Sequence, residues 1–200
     1  LIDNLRNSFF IKKNHYLKKK SILKIMHITN LNDRFDGRLH YNTGRRLNNG
    51  FLRLGHNVLT ISDRDILHNN KTLKDLSGSN FLQNSIIKNF NNFKPDLIIL
   101  GHADSVSNET LHQMKKNNTL IAQWFLDPLI KQGPDYEKNK NRFFLKYQFC
   151  DANFITTSVD ALNFVNNNKT FFIPLKHLYI SIYVDDRNFI IIGIKTTIFS

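Results

Sequence analysis

Cysteine is almost absent from this chain, which has a single one, Cys150, among its 200 residues. One thiol forms no internal disulfide, so a disulfide-stapled domain is excluded, and we expect a buried thiol just before a predicted strand. The chain also lacks an apolar run of the roughly eighteen residues that a membrane span needs. The first residues offer no apolar core of a signal peptide. The sequence therefore indicates a cytoplasmic protein without a membrane span.

Acidic residues are scarce, with 16 Asp and Glu against 28 Lys and Arg, and the formal net charge is +12. Such an excess is typical of nucleic-acid binding, so its distribution along the chain matters. Residues 1–24 carry +6, residues 25–174 carry +5 and the remaining residues carry +1. Half of the excess lies in a short leader, and no element interleaves basic and aromatic side chains for base stacking. We expect no nucleic-acid partner.

Glycine is also sparse, and its two best-known phosphate-binding patterns are missing. No Gly-x-Gly-x-x-Gly follows the first predicted strand, and no Gly-x-x-x-x-Gly-Lys-Ser/Thr occurs anywhere. Nicotinamide and P-loop proteins need these glycines where the backbone approaches the phosphates. The chain also has no Cys/His cluster with zinc spacing. We therefore expect neither a cofactor nor a metal.

Apolar strand patterns alternate with helical patterns between residues 24 and 174. The predicted strands are 24–30, 56–62, 97–100, 119–127, 151–158 and 170–173. The predicted helices are 37–54, 81–91, 107–117, 134–149 and 159–166. This alternation predicts a Rossmann-like α/β domain in which a mainly parallel sheet lies between two layers of helices. Two hundred residues suffice for one such domain but not for a second of similar size.

The first helical pattern, residues 37–54, has an apolar arc and an arginine-rich arc. Arg38 and Asn42 fall in its predicted first turns, where free backbone N–H groups favour anions. The other arginines of this arc are expected to be solvated. Gly55 is placed to end the helix as a C-terminal cap.

In an open parallel sheet, ligands bind at the carboxyl ends of the strands. The predicted strands place these residues at that edge: 30–37, 62–65, 102–104, Asp127, Pro128, Thr157 and Ser158. This edge is the predicted ligand crevice, whatever the ligand.

Several short motifs, taken in order and spacing, resemble the amino-terminal domain of GT-B-fold bacterial glycosyltransferases. More narrowly, they resemble family-1-like enzymes related to spore-coat glycosyltransferase-like proteins, over roughly residues 24–174. The motifs are Ile28-Thr29-Asn30, Asp36-Gly37-Arg38, Asn42-Thr43-Gly44-Arg45 and the segments 94–102, 123–128 and 151–158.

The resemblance implies the acceptor-side domain of an enzyme that uses a nucleotide-sugar donor and a glycan or other hydroxyl acceptor. A donor-binding domain is not recognised after Pro174. We therefore expect residues 175–200 to be an aberrant tail after a frameshift or truncation, and residues 1–23 to be a disordered or non-native leader. On this interpretation the chain is inactive alone, unless a separate chain supplies the donor domain. The alternative is a non-catalytic Rossmann-like module that binds a sugar or an anion.

Glycosyl transfer needs a group that deprotonates the acceptor hydroxyl, and Asp127, at a strand end, is the first candidate, with His102 second. Alternatively, Asp127 caps the helix or turn that follows, and His102 bonds a loop carbonyl. Arg34 and Arg38 are candidates for holding an anionic acceptor or a phosphate. Trp124 either stacks on a sugar ring or belongs to the core. The remaining candidates for acceptor or phosphate binding, by their predicted positions, are Asn30, Asp36, Gly37, Asp104 and Ser158.

Asp63-Arg64-Asp65 matches the Asp-x-Asp triplet with which GT-A glycosyltransferases hold a divalent metal and the sugar diphosphate. A triplet this short recurs by chance. Here it also follows the second strand of a GT-B-like pattern. We therefore expect no metal at this triplet.

Overall fold

The structure is a computed structural model that describes residues 22–115, 119–157, 165 and 169–173. The strands are β1 (Lys24–Thr29), β2 (Asn57–Ile61), β3 (Leu97–Gly101), β4 (Leu120–Phe125), β5 (Ala152–Ile155) and β6 (Thr170–Phe172). The α-helices of the described residues are α1 (Thr43–Arg53), α2 (Asp63–Asn69), α3 (Ser79–Phe93), α4 (Asn108–Lys115) and α5 (Tyr136–Tyr147). The predicted α/β class is confirmed.

The six strands form one parallel sheet in the order β2-β1-β3-β4-β5-β6. In register, Ile25 of β1 lies beside Leu97 of β3, and Leu97 beside Leu120 of β4. The chain moves to one side of β1 to form β2 and then returns to the other side to form β3 and the later strands. The order of strands therefore reverses between β1 and β3, and this switch point is where Rossmann-like sheets bind ligands.

Helices cover both faces of the sheet, as the alternation of side chains along the strands requires. On one face, Leu47 and Phe51 of α1 pack with Ile25, Leu97 and Ile99. The other face holds α3, α4 and α5. Its buried helical side chains are Leu82, Ile86, Phe90, Leu111, Met114 and Phe143. β3 is buried at all five positions, because both of its faces pack against apolar side chains.

The predicted helix over 37–54 is wrong at its start, because α1 begins only at Thr43. Asp36 and Gly37 have left-handed φ values of 50° and 85°, so the chain turns there before it enters the helix. Asn42 is the N-cap, and its side-chain oxygen accepts the backbone N–H of Arg45 at 2.9 Å. Arg38 therefore lies in a turn and not in the first turn of a helix.

The end of α1 has its predicted cap, and the start of α4 is capped by a side chain. Gly55 has φ 81° and donates its N–H to Leu52. The next residue donates to Phe51, which completes a Schellman motif. The Ser107 hydroxyl accepts the N–H of Thr110 at 3.1 Å.

Helix α2 was not predicted, since its seven residues are too few to show an apolar period.

Cys150 is buried, as expected, and desolvation raises the pKa of its thiol to about 12. Among the described residues, no helix is both long enough and apolar enough to cross a membrane. Several expectations concern residues that the structure leaves undescribed. They are those for Ser158, for the leader, for the tail and for all of the helix 159–166 except Val165.

Candidate functional site

A cleft of about 650 Å³ opens at the carboxyl edge of the sheet, where β1, β3 and β4 end. The sequence predicts a ligand at this edge, and the observed strand order places the cleft at the switch point. The lining residues come from the strand ends, the start of α1, the start of α2 and one side of α5. They are Thr29, Asn30, Asn42, Thr43, Gly44, Arg64, Gly101, His102, Asp104, Trp124, Leu126, Asp127, Lys138 and Arg142.

The floor of the cleft is built by close packing around Trp124. A Cβ on Gly101 would lie 2.3 Å from the Trp124 ring and 2.6 Å from Oγ1 of Thr29, so only glycine fits there. The indole N–H of Trp124 donates to Nε2 of His27 at 3.5 Å, and Nδ1 of His27 lies 3.3 Å from Oδ1 of Asn48. Burial lowers the pKa of His27 to about 4 and keeps its ring neutral. Trp124 is therefore mainly a core residue, 4% exposed, with one edge in the cleft.

His102 follows β3 with a left-handed φ of 50°. A residue that has a Cβ atom is strained in this conformation, and such strained residues are concentrated at functional sites. The conformation sets the imidazole at the mouth of the cleft, with ring centroids 5.3 Å from Trp124 and 5.0 Å from Phe125. The ring is thus fixed by two aromatic neighbours.

Arg142, on α5, links the candidate residues into one network. Its Nη1 donates to Oδ2 of Asp127 at 2.7 Å, and its Nη2 donates to Oδ2 of Asp104 at 2.9 Å. Its Nη2 also lies 2.9 Å from Nδ1 of His102. Despite partial burial, the two carboxylates raise the pKa of Arg142 above its ordinary value. One guanidinium therefore holds together three groups that come from two different strand ends.

The protonation state of His102 follows from this network. A guanidinium only donates, so Nδ1 of His102 must accept the bond from Arg142 and the proton resides on Nε2. Burial lowers the pKa of His102 below its ordinary value, the Arg142 cation lowers it further, and the carboxylate of Asp127 opposes both. Nδ1 lies 3.7 Å from Oδ2 of Asp127, which is too long for a hydrogen bond. His102 is a neutral hydrogen-bond donor through Nε2 and not a ready general base.

Asp127 has the geometry of an anchored carboxylate. Its Oδ2 is held by Arg142, and its side chain is 37% exposed toward the cleft. The alternative role as a helix cap is wrong, because α5 begins nine residues further on with Asp135 at its N-cap. The bond from Arg142 fixes the orientation of the carboxylate and leaves Oδ1 as the oxygen to meet a ligand.

Asp104 is held by two arginines. Arg64 of α2 donates at 2.8 Å to Oδ2, the oxygen that also accepts from Nη2 of Arg142. Next to this pair, Asp63 is fully buried, and neither of its oxygens has a well-aligned hydrogen bond among the described residues. The Arg64 N–H and the Ser105 hydroxyl favour its ionised form, but burial dominates and raises the pKa of Asp63 to about 6.

The structure brings together five of the ten predicted site residues in the cleft. These are Asn30, His102, Asp104, Trp124 and Asp127. Ser158 is outside the described residues. The other four lie in the turn before α1, outside the lining of the cleft. They are Arg34, Asp36, Gly37 and Arg38.

Arg34, in that turn, forms an ion pair with Asp65 of α2. It donates to Oδ1 of Asp65 at 2.7 Å, and Asp65 also accepts the backbone N–H groups of Asp33 and Arg34. The carboxylate of Asp65 therefore faces the turn before α1, whereas the carboxylate of Asp63 is buried on the side of Ser105. The two aspartates of the triplet do not converge. Among the described residues, no group of three His, Cys, Asp or Glu could hold a metal ion.

Sequence reasoning missed Arg142 and Lys138, and it placed Arg64 at this edge only within the segment 62–65, without a role. Arg142 and Lys138 belong to a predicted helix whose charged residues are typical of a solvated surface, and only the fold brings them to the ends of β3 and β4. A second depression, about 410 Å³, lies between α3 and α4 and is lined mainly by amide side chains. It shares no lining residue with the cleft, and its lining includes no carboxylate or imidazole.

The comparisons with known proteins identify no relative. No family model, no curated protein and no solved structure matches this chain. The fold and the cleft are therefore the only observations beyond the sequence from which a function is inferred.

Proposed function

We propose that this chain is the acceptor-side domain of a nucleotide-sugar-dependent glycosyltransferase, and that the cleft at the ends of β1, β3 and β4 binds the acceptor. The observation that carries the proposal is the convergence of His102, Asp104, Asp127 and Arg142 at the switch point of a Rossmann-like sheet. The sequence resemblance to GT-B enzymes supports the reaction class. The cleft supplies a carboxylate and an imidazole donor at the expected edge.

In this proposal Asp127 is the general base. Arg142 fixes Oδ2, so Oδ1 accepts the proton of the attacking hydroxyl. The acceptor oxygen then bonds to the anomeric carbon of the donor as the bond from that carbon to the diphosphate breaks, and the nucleoside diphosphate leaves with the electron pair. His102 donates from Nε2 to an oxygen of the acceptor and orients it. The edge of Trp124 supplies an apolar wall.

The charge pattern favours a neutral, hydroxylated ligand over a polyanion. Arg64 and Arg142 are paired with Asp104, and Arg142 is paired with Asp127 as well. Lys138 also lines the cleft, and of its three cations Lys138 alone lies outside these ion pairs. Paired carboxylates and guanidiniums leave polar edges that suit sugar hydroxyls. A single remaining cation compensates a diphosphate poorly, so we expect the nucleotide part of the donor to bind elsewhere.

Calorimetric titration of the full chain with neutral oligosaccharides and with nucleotide sugars tests the proposal. We expect the oligosaccharides to bind and Asp127→Asn to weaken binding about tenfold to a hundredfold, the loss of a hydrogen bond to a charged group. Asp135→Asn removes the same charge from an exposed site outside the cleft and is the matched control. Binding of nucleotide sugars only, or of neither class, would overturn the proposal.

The second candidate is a non-catalytic sugar-binding module. It is favoured by the same ion pairs, since Asp104 and Asp127 are held rigidly and a binding site needs no proton transfer. Transfer of a labelled sugar, measured together with a chain that supplies the donor domain, separates the two functions. In the enzyme, Asp127→Asn lowers transfer about a hundredfold or more. In the module, oligosaccharides bind but the wild type transfers nothing above background.

A further inference from the structure

We propose that the connection between α2 and α3 docks onto an anionic lipid bilayer. The docking loop is defined as residues 70–81, which comprise this connection and the first three residues of α3. Its large apolar side chains face solvent: Leu73 is 97% exposed, Leu76 is 76% exposed and Phe81 is 51% exposed. Single exposed apolar residues are common on proteins, but three within nine residues concentrate apolar surface in one short segment.

The exposure is built into the backbone of the docking loop. Thr72 and Asp75 exchange two backbone hydrogen bonds of 3.0 and 3.1 Å, which close a tight turn with Leu73 and Lys74 at its apex. The Asp75 side chain also accepts the backbone N–H of Phe81 at 3.1 Å. The docking loop therefore holds itself together through hydrogen bonds, and its leucines are not needed as internal packing.

The charge of the docking loop complements an anionic surface. Lys71 and Lys74 are exposed on either side of Leu73. The one acid of the segment, Asp75, directs its carboxylate to the N–H groups of Ser79 and Phe81 at the start of α3. The docking loop thus presents two cations and apolar side chains outward. This combination binds anionic headgroups while the apolar apex enters the acyl region.

The shape of the docking loop favours a bilayer over a folded protein partner. Its apex is convex, and a bilayer accepts a convex apolar tip without a complementary pocket. Gln83 of α3 donates to the carbonyl of Ser105 at 2.9 Å and accepts the N–H of Ser107 at 3.0 Å. This bond pair ties the start of α3 to the segment after β3, so the docking loop lies at the same edge of the sheet as the cleft. The inference stands without the proposed function.

Vesicle sedimentation with the full chain tests the docking loop. The vesicles contain phosphatidylcholine with about 30% phosphatidylserine, or phosphatidylcholine alone, because the lysines act only on a charged surface. The test variant is Leu73→Ser with Leu76→Ser. The matched control is Leu52→Ser with Leu145→Ser, two leucines that are 51% and 45% exposed on α1 and α5. All four substitutions are at exposed positions, and circular dichroism checks that each variant folds.

We expect the wild type and the control to bind the anionic vesicles alike, and the docking-loop variant to bind about tenfold more weakly or less. Lys71→Gln with Lys74→Gln should remove most of the preference for anionic over neutral vesicles. Equal binding by the wild type and the docking-loop variant would overturn the inference and assign vesicle binding to another segment, such as the basic residues 1–24. Absence of wild-type binding would overturn it too. Self-association that the leucine variant abolishes, without vesicle binding, would replace the bilayer by a second copy of the chain.

Discussion

The buried carboxylate of Asp63 gives the most quantitative prediction. Asp63 is the first residue of α2, is 0% exposed and is not paired with any cation at salt-bridge distance among the described residues. The side-chain cations of Arg64 and Lys146 act on it through the electrostatic field, without an ion pair. Ionisation of Asp63 therefore opposes folding, and Asp63→Asn removes that cost while it keeps the shape of the side chain.

The magnitude follows from the pKa of Asp63, which burial raises from 3.8 to about 6. A tenfold change in proton affinity corresponds to about 1.4 kcal/mol, so the ionised carboxylate lowers the free energy of unfolding by about 3 kcal/mol. Between these pKa values the folded state binds more protons than the unfolded state. Stability due to Asp63 is therefore greatest below about pH 4, falls as the pH rises and is lost above about pH 6.

Urea unfolding of the wild type and of Asp63→Asn, followed by the fluorescence of Trp124, measures this difference. When the free energy of unfolding of the wild type is subtracted from that of the variant at each pH, the contributions of all other titrating groups cancel. We expect the stability of the variant relative to the wild type to rise by about 3 kcal/mol between about pH 4 and pH 7.5. A difference that stays constant over this range would refute the argument, because it would mean that Asp63 titrates alike in the folded and unfolded chain.

Three further predictions concern the cleft. Arg142→Gln should raise the pKa of His102, because the cation that lowers it is removed while the carboxylates remain; an unchanged imidazole titration by NMR would contradict the network. Gly101→Ala should destabilise the fold by about 1–3 kcal/mol and shift the emission of Trp124, because the new Cβ overlaps the indole ring; wild-type urea midpoint and emission would show that the floor of the cleft is loosely packed. Asn42→Ala should cost about 1 kcal/mol in the same urea assay, as the N-cap of α1 is lost; no loss of stability would mean that water replaces the cap.

Much of the fold was predictable because the strands are buried on both faces. The run 97–100 is apolar throughout, and β3 is fully buried as such a run requires. The errors lie where hydrogen bonds between distant residues outweigh periodicity. Arg38 fits the helical period of α1 in the sequence. In the structure, Asp65 accepts the backbone N–H groups of Asp33 and Arg34 and thereby holds a turn in front of the helix.

The candidate site was predictable in part, for an equally physical reason. Residues that follow buried strands must meet at one edge, so His102, Asp104 and Asp127 were placed from topology alone. The side chain that joins them, Arg142, comes from the middle of a charged helix. Its partners lie 15 to 40 residues away in sequence, and no local pattern encodes that contact.

The central claim is that a neutral, hydroxylated acceptor binds in the cleft beside Trp124 and Asp127. Trp124 is the only tryptophan of the chain, so its indole N–H gives a single, self-assigned NMR signal. During titration with the oligosaccharide that binds most tightly by calorimetry, the account predicts a saturable shift of this signal that Asp127→Asn weakens and Asp135→Asn leaves unchanged. Saturation by calorimetry without movement of the indole signal would contradict it, because the ligand would then bind outside the cleft.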